Sequence, residues 1–172
     1  MIFIFWMVVA VVGATIYRWR DKQPRSTART FEIYLVWWLA VVLGIGNIVG
    51  GGFHIFDGPA IAKEIGFTRG DGGFQFENAM GDVAIGTIAF LSIWFRGNWW
   101  PAALVAISIS WWGDAYGHIH QEVVNDNHDP DNTGAVLYSD IFSPLFGLAL
   151  YVLFRRAGGG QPLRQDNSRP AA

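Results

Sequence analysis

The chain has 172 residues, which is enough for one domain but not for two. Apolar residues make up 52% of it and charged residues only 15%, against a usual charged share of about a quarter. A soluble core of this size cannot bury so much apolar surface, whereas a lipid bilayer would cover it. The net charge of −2 does not favour nucleic-acid binding, and the absence of Cys excludes disulfides, thiolate metal sites and thiol catalysis.

Five apolar segments follow one another along the chain, and each approaches the ~20 residues that a helix needs to cross a bilayer. They cover residues 2–17, 33–53, 74–95, 99–117 and 137–154. The first segment lacks the basic start and the cleavage motif of a signal peptide, so we expect it to be retained as a helix. The sequence therefore predicts an all-α integral membrane bundle of five transmembrane helices, with a four-helix core and an extra N-terminal helix.

Polar connections separate these segments. We expect a short helical stretch at residues 60–65, a tight turn at 96–98 and an acidic loop at 118–136. The transmembrane domain is predicted to cover residues 1–156, and the Gly/Pro-rich residues 157–172 to form a disordered cytoplasmic tail. Within the second segment, Gly46 and Gly50 have the small-xxx-small spacing that is typical of close helix packing.

The distribution of Lys and Arg predicts the orientation, because cytoplasmic loops of membrane proteins are rich in these residues. If residues 18–30, the turn at Arg96 and the tail are cytoplasmic, ten of the twelve basic residues lie inside. Only Lys63 and Arg69 then lie outside. We therefore expect a multi-pass protein of the bacterial inner membrane, with a periplasmic N-terminus and a cytoplasmic C-terminus.

In this orientation, polar and ionisable residues gather at the periplasmic ends of helices two to five. They are His54, Asp57, Gln75, Glu77, Asn78, Asp82, Asp114, His118, His120, Glu122, Tyr138, Ser139 and Asp140. Asp114, His118 and Glu122 are spaced by four residues and share one helical face. Asp82 and Asp114 lie at similar depth, where an unpaired carboxylate would cost several kcal/mol. No Lys or Arg of the chain is available there, so these acids must be protonated or bound to a metal.

The first alternative is a divalent transition metal, since imidazole and carboxylate suit ions such as Zn, Mn, Fe or Cu. The predicted ligands are His54, Glu77, Asp114 and His118, with Asp82 and Glu122 as second candidates. No Glu-x-x-His pair occurs, so the pattern of di-iron bundles is not met. The second alternative is a cluster of protonated carboxyl groups, hydrogen-bonded to His, Asn, Ser and Tyr.

Three features of this region have simpler interpretations. Asp140 follows the acidic loop and is interpreted as an N-cap or first-turn acid of the fifth helix. Asp57 precedes Gly58-Pro59, as at the start of a helix. Residues 125–132 are interpreted as a solvated loop, because they lack the pattern of an EF-hand.

Residues 54–67 read HIFDGPAIAKEIGF, and residues 72–82 read GGFQFENAMGD. This region resembles small bacterial polytopic membrane proteins of uncharacterised function and, more loosely, the DoxX-like four-helix membrane proteins. The resemblance implies a four-helix bundle over helices two to five, and some DoxX-like proteins are small subunits of quinone-linked oxidoreductases. It supplies no catalytic residue, and the stretch DAYGHIHQE at 114–122 departs from the DoxX pattern.

These features favour a binding or accessory membrane protein over an enzyme, with the bilayer as its first partner. Other membrane subunits or a second copy of the chain are further candidate partners. A small subunit of a quinone- or metal-linked oxidoreductase and a small proton-coupled transporter are the alternatives.

Overall fold

The computed structural model describes residues 2–66 and 72–160, and all regular secondary structure in that part of the chain is helical. The helices are α1 (Ile2–Arg20), α2 (Thr27–Glu64), α3 (Gly72–Phe90, extended by a 3-10 turn at Leu91–Ile93), α4 (Trp99–Asn125), the short α5 (Pro130–Thr133) and α6 (Ala135–Arg156). The predicted all-α fold with five long helices is confirmed.

The centre of the bundle is α2, whose middle part, Trp38–Ile45, is π-helical and almost completely buried. Leu39, Val42 and Leu43 have no exposed surface. Helix α2 packs against α3 on one side and α6 on the other, and α4 packs against α6. In α1, by contrast, only Ala10 and Ala14 are buried. The bundle therefore has a core of α2, α3, α4 and α6, with α1 on its outside.

Four helical segments of the described residues are long and apolar enough to cross a membrane: Ile2–Arg20, Thr27–Glu64, Phe76–Ile93 and Pro130–Arg156. Helix α4, with 27 residues, is also long enough to cross, but polar and ionisable residues between Asp114 and Glu122 lower the hydropathy of its second half. The helices indicate a membrane protein, with one of the five predicted spans unusually polar towards its C-terminal end.

Helices α2 and α4 both continue beyond their predicted ends, into regions of polar sequence. Helix α2 joins the segments predicted at 33–53 and 60–65, with one non-helical residue, Asp57 (φ −140°, ψ 36°), just before Gly58-Pro59. The backbone is thus interrupted where the sequence indicated a helix start. Helix α4 continues to Asn125, two turns beyond its predicted end, so the loop is much shorter than 118–136.

The close approach of α2 and α3 uses other glycines than those predicted. A Cβ atom on Gly86 would lie 2.9 Å from the carbonyl oxygen of Gly44, and one on Gly51 would lie 2.9 Å from that of Ala79. Gly50 faces open space and Gly46 faces the ring of Trp6 on α1. The contacting glycines of α2 are therefore two turns apart, at 44 and 51.

At the C-terminal end, residues 157–160 turn back so that Gly159 lies against the ring of Phe154. The remainder of the predicted disordered tail, residues 161–172, lies outside the described residues.

Candidate functional site at the His118 end

His118 lies in the last part of α4 and is 8% exposed, which is unusual for an ionisable side chain near the end of a helix. Two of its polar neighbours are also buried: Asn132 on α5 is completely inaccessible and Asp140 on α6 is 6% exposed. We call this side of the molecule, where α4 ends and α6 begins, the His118 end. Three helices thus bring one residue each to a single enclosed point.

The hydrogen bonds of Asn132 determine which nitrogen of His118 carries a proton. The amide nitrogen of Asn132 donates to the backbone carbonyls of His118 (3.2 Å) and Asn127 (3.0 Å), which uses both of its hydrogens. Its amide oxygen, an acceptor only, lies 2.8 Å from Nδ1 of His118. Nδ1 must therefore be the donor, and in the neutral ring Nε2 carries the lone pair.

Nε2 of His118 lies 3.7 Å from Oδ2 of Asp140. A lone pair and an ionised carboxylate would repel each other at this distance, so the favourable states place one proton on one of the two groups. Pro144, four residues after Asp140 in α6, has no N–H to donate to the backbone carbonyl of Asp140. The second turn of α6 therefore lacks one backbone hydrogen bond of a regular helix, at the carbonyl of Asp140.

The loop between α4 and α5 covers this site. Helix α4 ends at Asn125, and its C-cap residue, Asp126, adopts the left-handed conformation with φ 54°. Asn127 then donates from its side-chain amide to the carbonyl of Ile65 at 2.8 Å and accepts from the backbone N–H of Asp129 at 3.1 Å. Gly66 (φ 71°) lies so close that a Cβ atom there would be 2.1 Å from the Asp129 side chain. The loop is thereby attached to the end of α2.

Two further aspartates belong to the same electrostatic environment. The charge of Asp114 acts on Asp82 and on Asp140, and that of Asp82 acts on Asp140. His54 and His118 act on Asp114. No Lys or Arg of the described residues contributes to these interactions. Asp82 lies against α2, because a Cβ atom added to Gly51 would be 3.1 Å from the Cβ atom of Asp82. The site thus concentrates carboxyl groups without a basic side chain to neutralise them.

The four predicted metal ligands do not form one set in this structure. Asp114 and His118 lie on the same side of α4 with His54 within electrostatic range, whereas Glu77 is exposed. The second candidate Glu122 faces His128 instead, at 3.8 Å. Within residues 2–66 and 72–160, no three His, Asp or Glu side chains form a group able to hold a metal ion. The predicted shell stays a prediction.

The N-cap interpretation of Asp140 is wrong. Asp140 is the sixth residue of α6, in its second turn, and its buried side chain faces His118 rather than the N-terminal amides. The interpretation failed because α6 begins at Ala135, earlier than the apolar pattern suggested. Asn132 was missed because it lies in a sequence rich in Asn and Asp that is typical of a solvated loop. Asp129-Pro130 is the signal that could have revealed the short α5, since Pro is favoured in a first turn.

At the opposite end, acidic and basic side chains pair directly. We call this the Arg96 end. Nε of Arg29 donates to Asp21 at 2.8 Å, Nη1 of Arg29 donates to Glu32 at 2.9 Å, and Arg96 also donates to Glu32. The hydrogen bond from Arg29 lowers the pKa of Asp21 below its usual range. Each of these acids is therefore paired with at least one arginine.

The sequence profile of a family of unknown function (DUF6790) matches residues 1–160, and the chain belongs to that family. This confirms membership of an uncharacterised family but gives no link to the DoxX-like proteins. Neither the curated proteins nor the solved structures contain a match.

Proposed function

We propose that this member of the family is a binding or accessory protein of the bacterial inner membrane whose His118 end binds a cation, either a proton or a divalent transition metal. One observation carries the proposal: Asn132 keeps the proton of His118 on Nδ1, so that the Nε2 lone pair is directed to the neighbourhood of the Asp140 carboxyl group, 3.7 Å away. A lone pair beside a carboxylate attracts a cation strongly when both are buried.

A proton and a metal ion would compete for the same lone pair. An imidazole whose other ring nitrogen donates to an oxygen is the usual arrangement of a metal-binding histidine, because that hydrogen bond orients the ring. His118 and Asp140 would then hold the metal. Because no three such side chains are grouped within residues 2–66 and 72–160, Asp114, one helical turn earlier on α4, would have to move towards them. His54 and Glu77, predicted from the sequence as further ligands, would have to approach from α2 and α3.

Titration of the purified protein with Zn²⁺ tests the metal form. Calorimetry in buffers of different ionisation enthalpy would count both the metal bound and the protons released. We expect about one Zn²⁺ per chain, an affinity that falls as the pH drops through the histidine range, and loss of binding in His118→Ala. His120→Ala is the matched control, because His120 is exposed on the same helix.

If no stoichiometric metal binds, infrared difference spectroscopy on acidification tests the proton form. The carboxyl band that appears should be absent from Asp140→Asn and present in Asp131→Asn, whose carboxyl group is exposed. Absence of both metal binding and an Asp140-dependent carboxyl signal would end the proposal.

The proposed orientation places the His118 end in the periplasm, on the distribution of basic residues. A reporter that is active only in the cytoplasm should be active when fused after Arg156 and silent when inserted between Asp126 and Asp129. The reverse pattern would move the cation site to the cytoplasmic side.

A further inference from the structure

The Arg96 end contains a cavity of about 390 Å³ lined by three arginines, Arg29, Arg96 and Arg155, and one acid, Glu32. Arg29 and Arg96 both contact Glu32, and Arg29 also pairs with Asp21, which does not line the cavity. Arg155 forms no ion pair within the described residues, and its Nη1 donates to the hydroxyl of Tyr151 at 3.3 Å. The cavity therefore has an excess of positive charge, and one of its cations has no carboxylate partner in the described chain.

The N-terminus of α4 opens onto the same cavity. Its N-cap residue, Asn98, makes no side-chain hydrogen bond to the first turn, and Asn98 and Trp100 both line the cavity. The dipole of α4 makes this end partially positive, which favours an anion. Within the first turn, the N–H of Trp99 donates to the carbonyl of Arg96 at 3.3 Å and Pro101 has no N–H. The arginines and the helix dipole thus both favour an anion in this cavity.

A second cavity, of about 270 Å³, adjoins the first and shares Arg29, Glu32 and Arg96 with it. The rest of its lining is almost entirely apolar, from Ile33, Val36 and Ala40 on α2 to Phe90 and Ile93 at the end of α3. It extends along α2 as far as Ile45, which is roughly 20 Å from Glu32 at the rise of an α-helix. This is comparable to the ~15 Å depth of one leaflet of the bilayer core.

We infer that the Arg96 end binds one anionic phospholipid, with its phosphate in the arginine-lined cavity and one acyl chain along the groove between Val36 and Phe90. The excess of positive charge favours binding of the phosphate group. The apolar cavity, which begins at the same arginines, favours binding of the acyl chain. Arginine suits phosphate because its planar fork donates two parallel hydrogen bonds. This site is at the opposite end from the cation site and does not depend on it.

Native mass spectrometry of the full chain in detergent tests the inference, with added phosphatidylglycerol, phosphatidylcholine or glycerol phosphate as probes. We expect one phosphatidylglycerol per chain, held more strongly than phosphatidylcholine. Removal of two arginines in Arg96→Gln/Arg155→Gln should weaken binding by at least about tenfold. Arg20→Gln/Arg25→Gln removes the same charge from exposed positions outside the cavity and should change the affinity by no more than about twofold.

The groove has its own test, which does not depend on charge. Val36→Trp fills the apolar cavity and should weaken phosphatidylglycerol binding, whereas Val105→Trp, at an exposed position of α4 outside the groove, should not. Three results would overturn the inference. Phosphatidylcholine could be held as strongly as phosphatidylglycerol, or the control Arg20→Gln/Arg25→Gln could weaken binding as much as Arg96→Gln/Arg155→Gln. Glycerol phosphate could also compete as strongly as the whole lipid.

Discussion

The two ends of the bundle hold their acidic side chains in opposite ways. At the Arg96 end, Asp21 and Glu32 receive hydrogen bonds from Arg29, and Glu32 also receives one from Arg96. At the His118 end, Asp82, Asp114 and Asp140 interact with one another and with histidines, and no arginine or lysine of the described chain takes part. Arginine fixes the charge of its partner because it does not lose its proton. Histidine, unlike arginine, can be neutral, so it need not neutralise a neighbouring carboxyl group.

The comparison also concerns how each end is kept in place. The Arg96 end is linked by ion pairs in which partly exposed arginines take part, whereas the His118 end depends on a buried amide with three neutral hydrogen bonds. Ion pairs near water contribute little to stability, and breaking a buried polar network costs more. Mutations that are similar in chemistry should therefore differ in effect between the two ends.

The largest effect is expected for Asn132→Ala. The substitution removes three hydrogen bonds from a buried network, at a cost of about 3–5 kcal/mol in the free energy of unfolding. Asn125→Ala, which removes an exposed amide that bonds Gln121, should stay within about 0.5 kcal/mol. Chemical denaturation in detergent measures both, and equal losses would show that Asn132 does not hold the site together.

The second effect concerns the close contact between α2 and α3, which sets the distance between these two helices. Gly86→Ala brings a Cβ atom to 2.9 Å from a backbone oxygen of α2, and forcing the helices apart should cost about 1–3 kcal/mol. Gly81→Ala, on the same helix but facing open space, should be neutral or stabilising, because Ala favours helix over Gly. Thermal stability of the two variants in one detergent would separate them, and a stable Gly86→Ala would contradict the close contact.

A smaller effect is expected for Glu32→Gln at the Arg96 end. The neutral amide keeps an acceptor for Arg29 or Arg96 but loses the charge that both contact, which should cost about 1 kcal/mol. Glu64→Gln, at the exposed end of the same helix, is the control. A loss as large as that of Asn132→Ala would remove the proposed contrast between the two ends.

The smallest effect should appear only as a dependence on pH. The folded-state pKa of Asp21 is lowered, so its contribution to stability is fully present above its unfolded pKa of about 3.9 and is lost as the pH falls through the lower folded value. Wild type and Asp21→Asn should therefore differ at neutral pH and converge in acid. Lys22→Gln, next in the sequence and exposed, should leave the profile unchanged. A constant difference at every pH would argue against the Asp21–Arg29 pair.

The sequence alone was sufficient for the number of long helices, the peripheral position of α1 and the concentration of polar residues at one end. These properties depend on composition and on the length of apolar runs. A run of about 20 apolar residues is long enough to cross the bilayer as a helix. The spacing of Asp114 and His118 likewise placed them on one helical face before any contact was known. These properties could be predicted because each depends only on residues that are close together in the sequence.

Only the tertiary structure decided which residues meet. Asn132 and Asp140 come from α5 and α6 and reach His118 through the packing of the loop. The sequence around each of them does not show that it meets His118. The contacting glycines, 44 and 51 rather than 46 and 50, depend on which face of α2 α3 approaches. Helix periodicity determines which residues share a face of one helix, but the face that a second helix covers is determined by packing of the whole bundle.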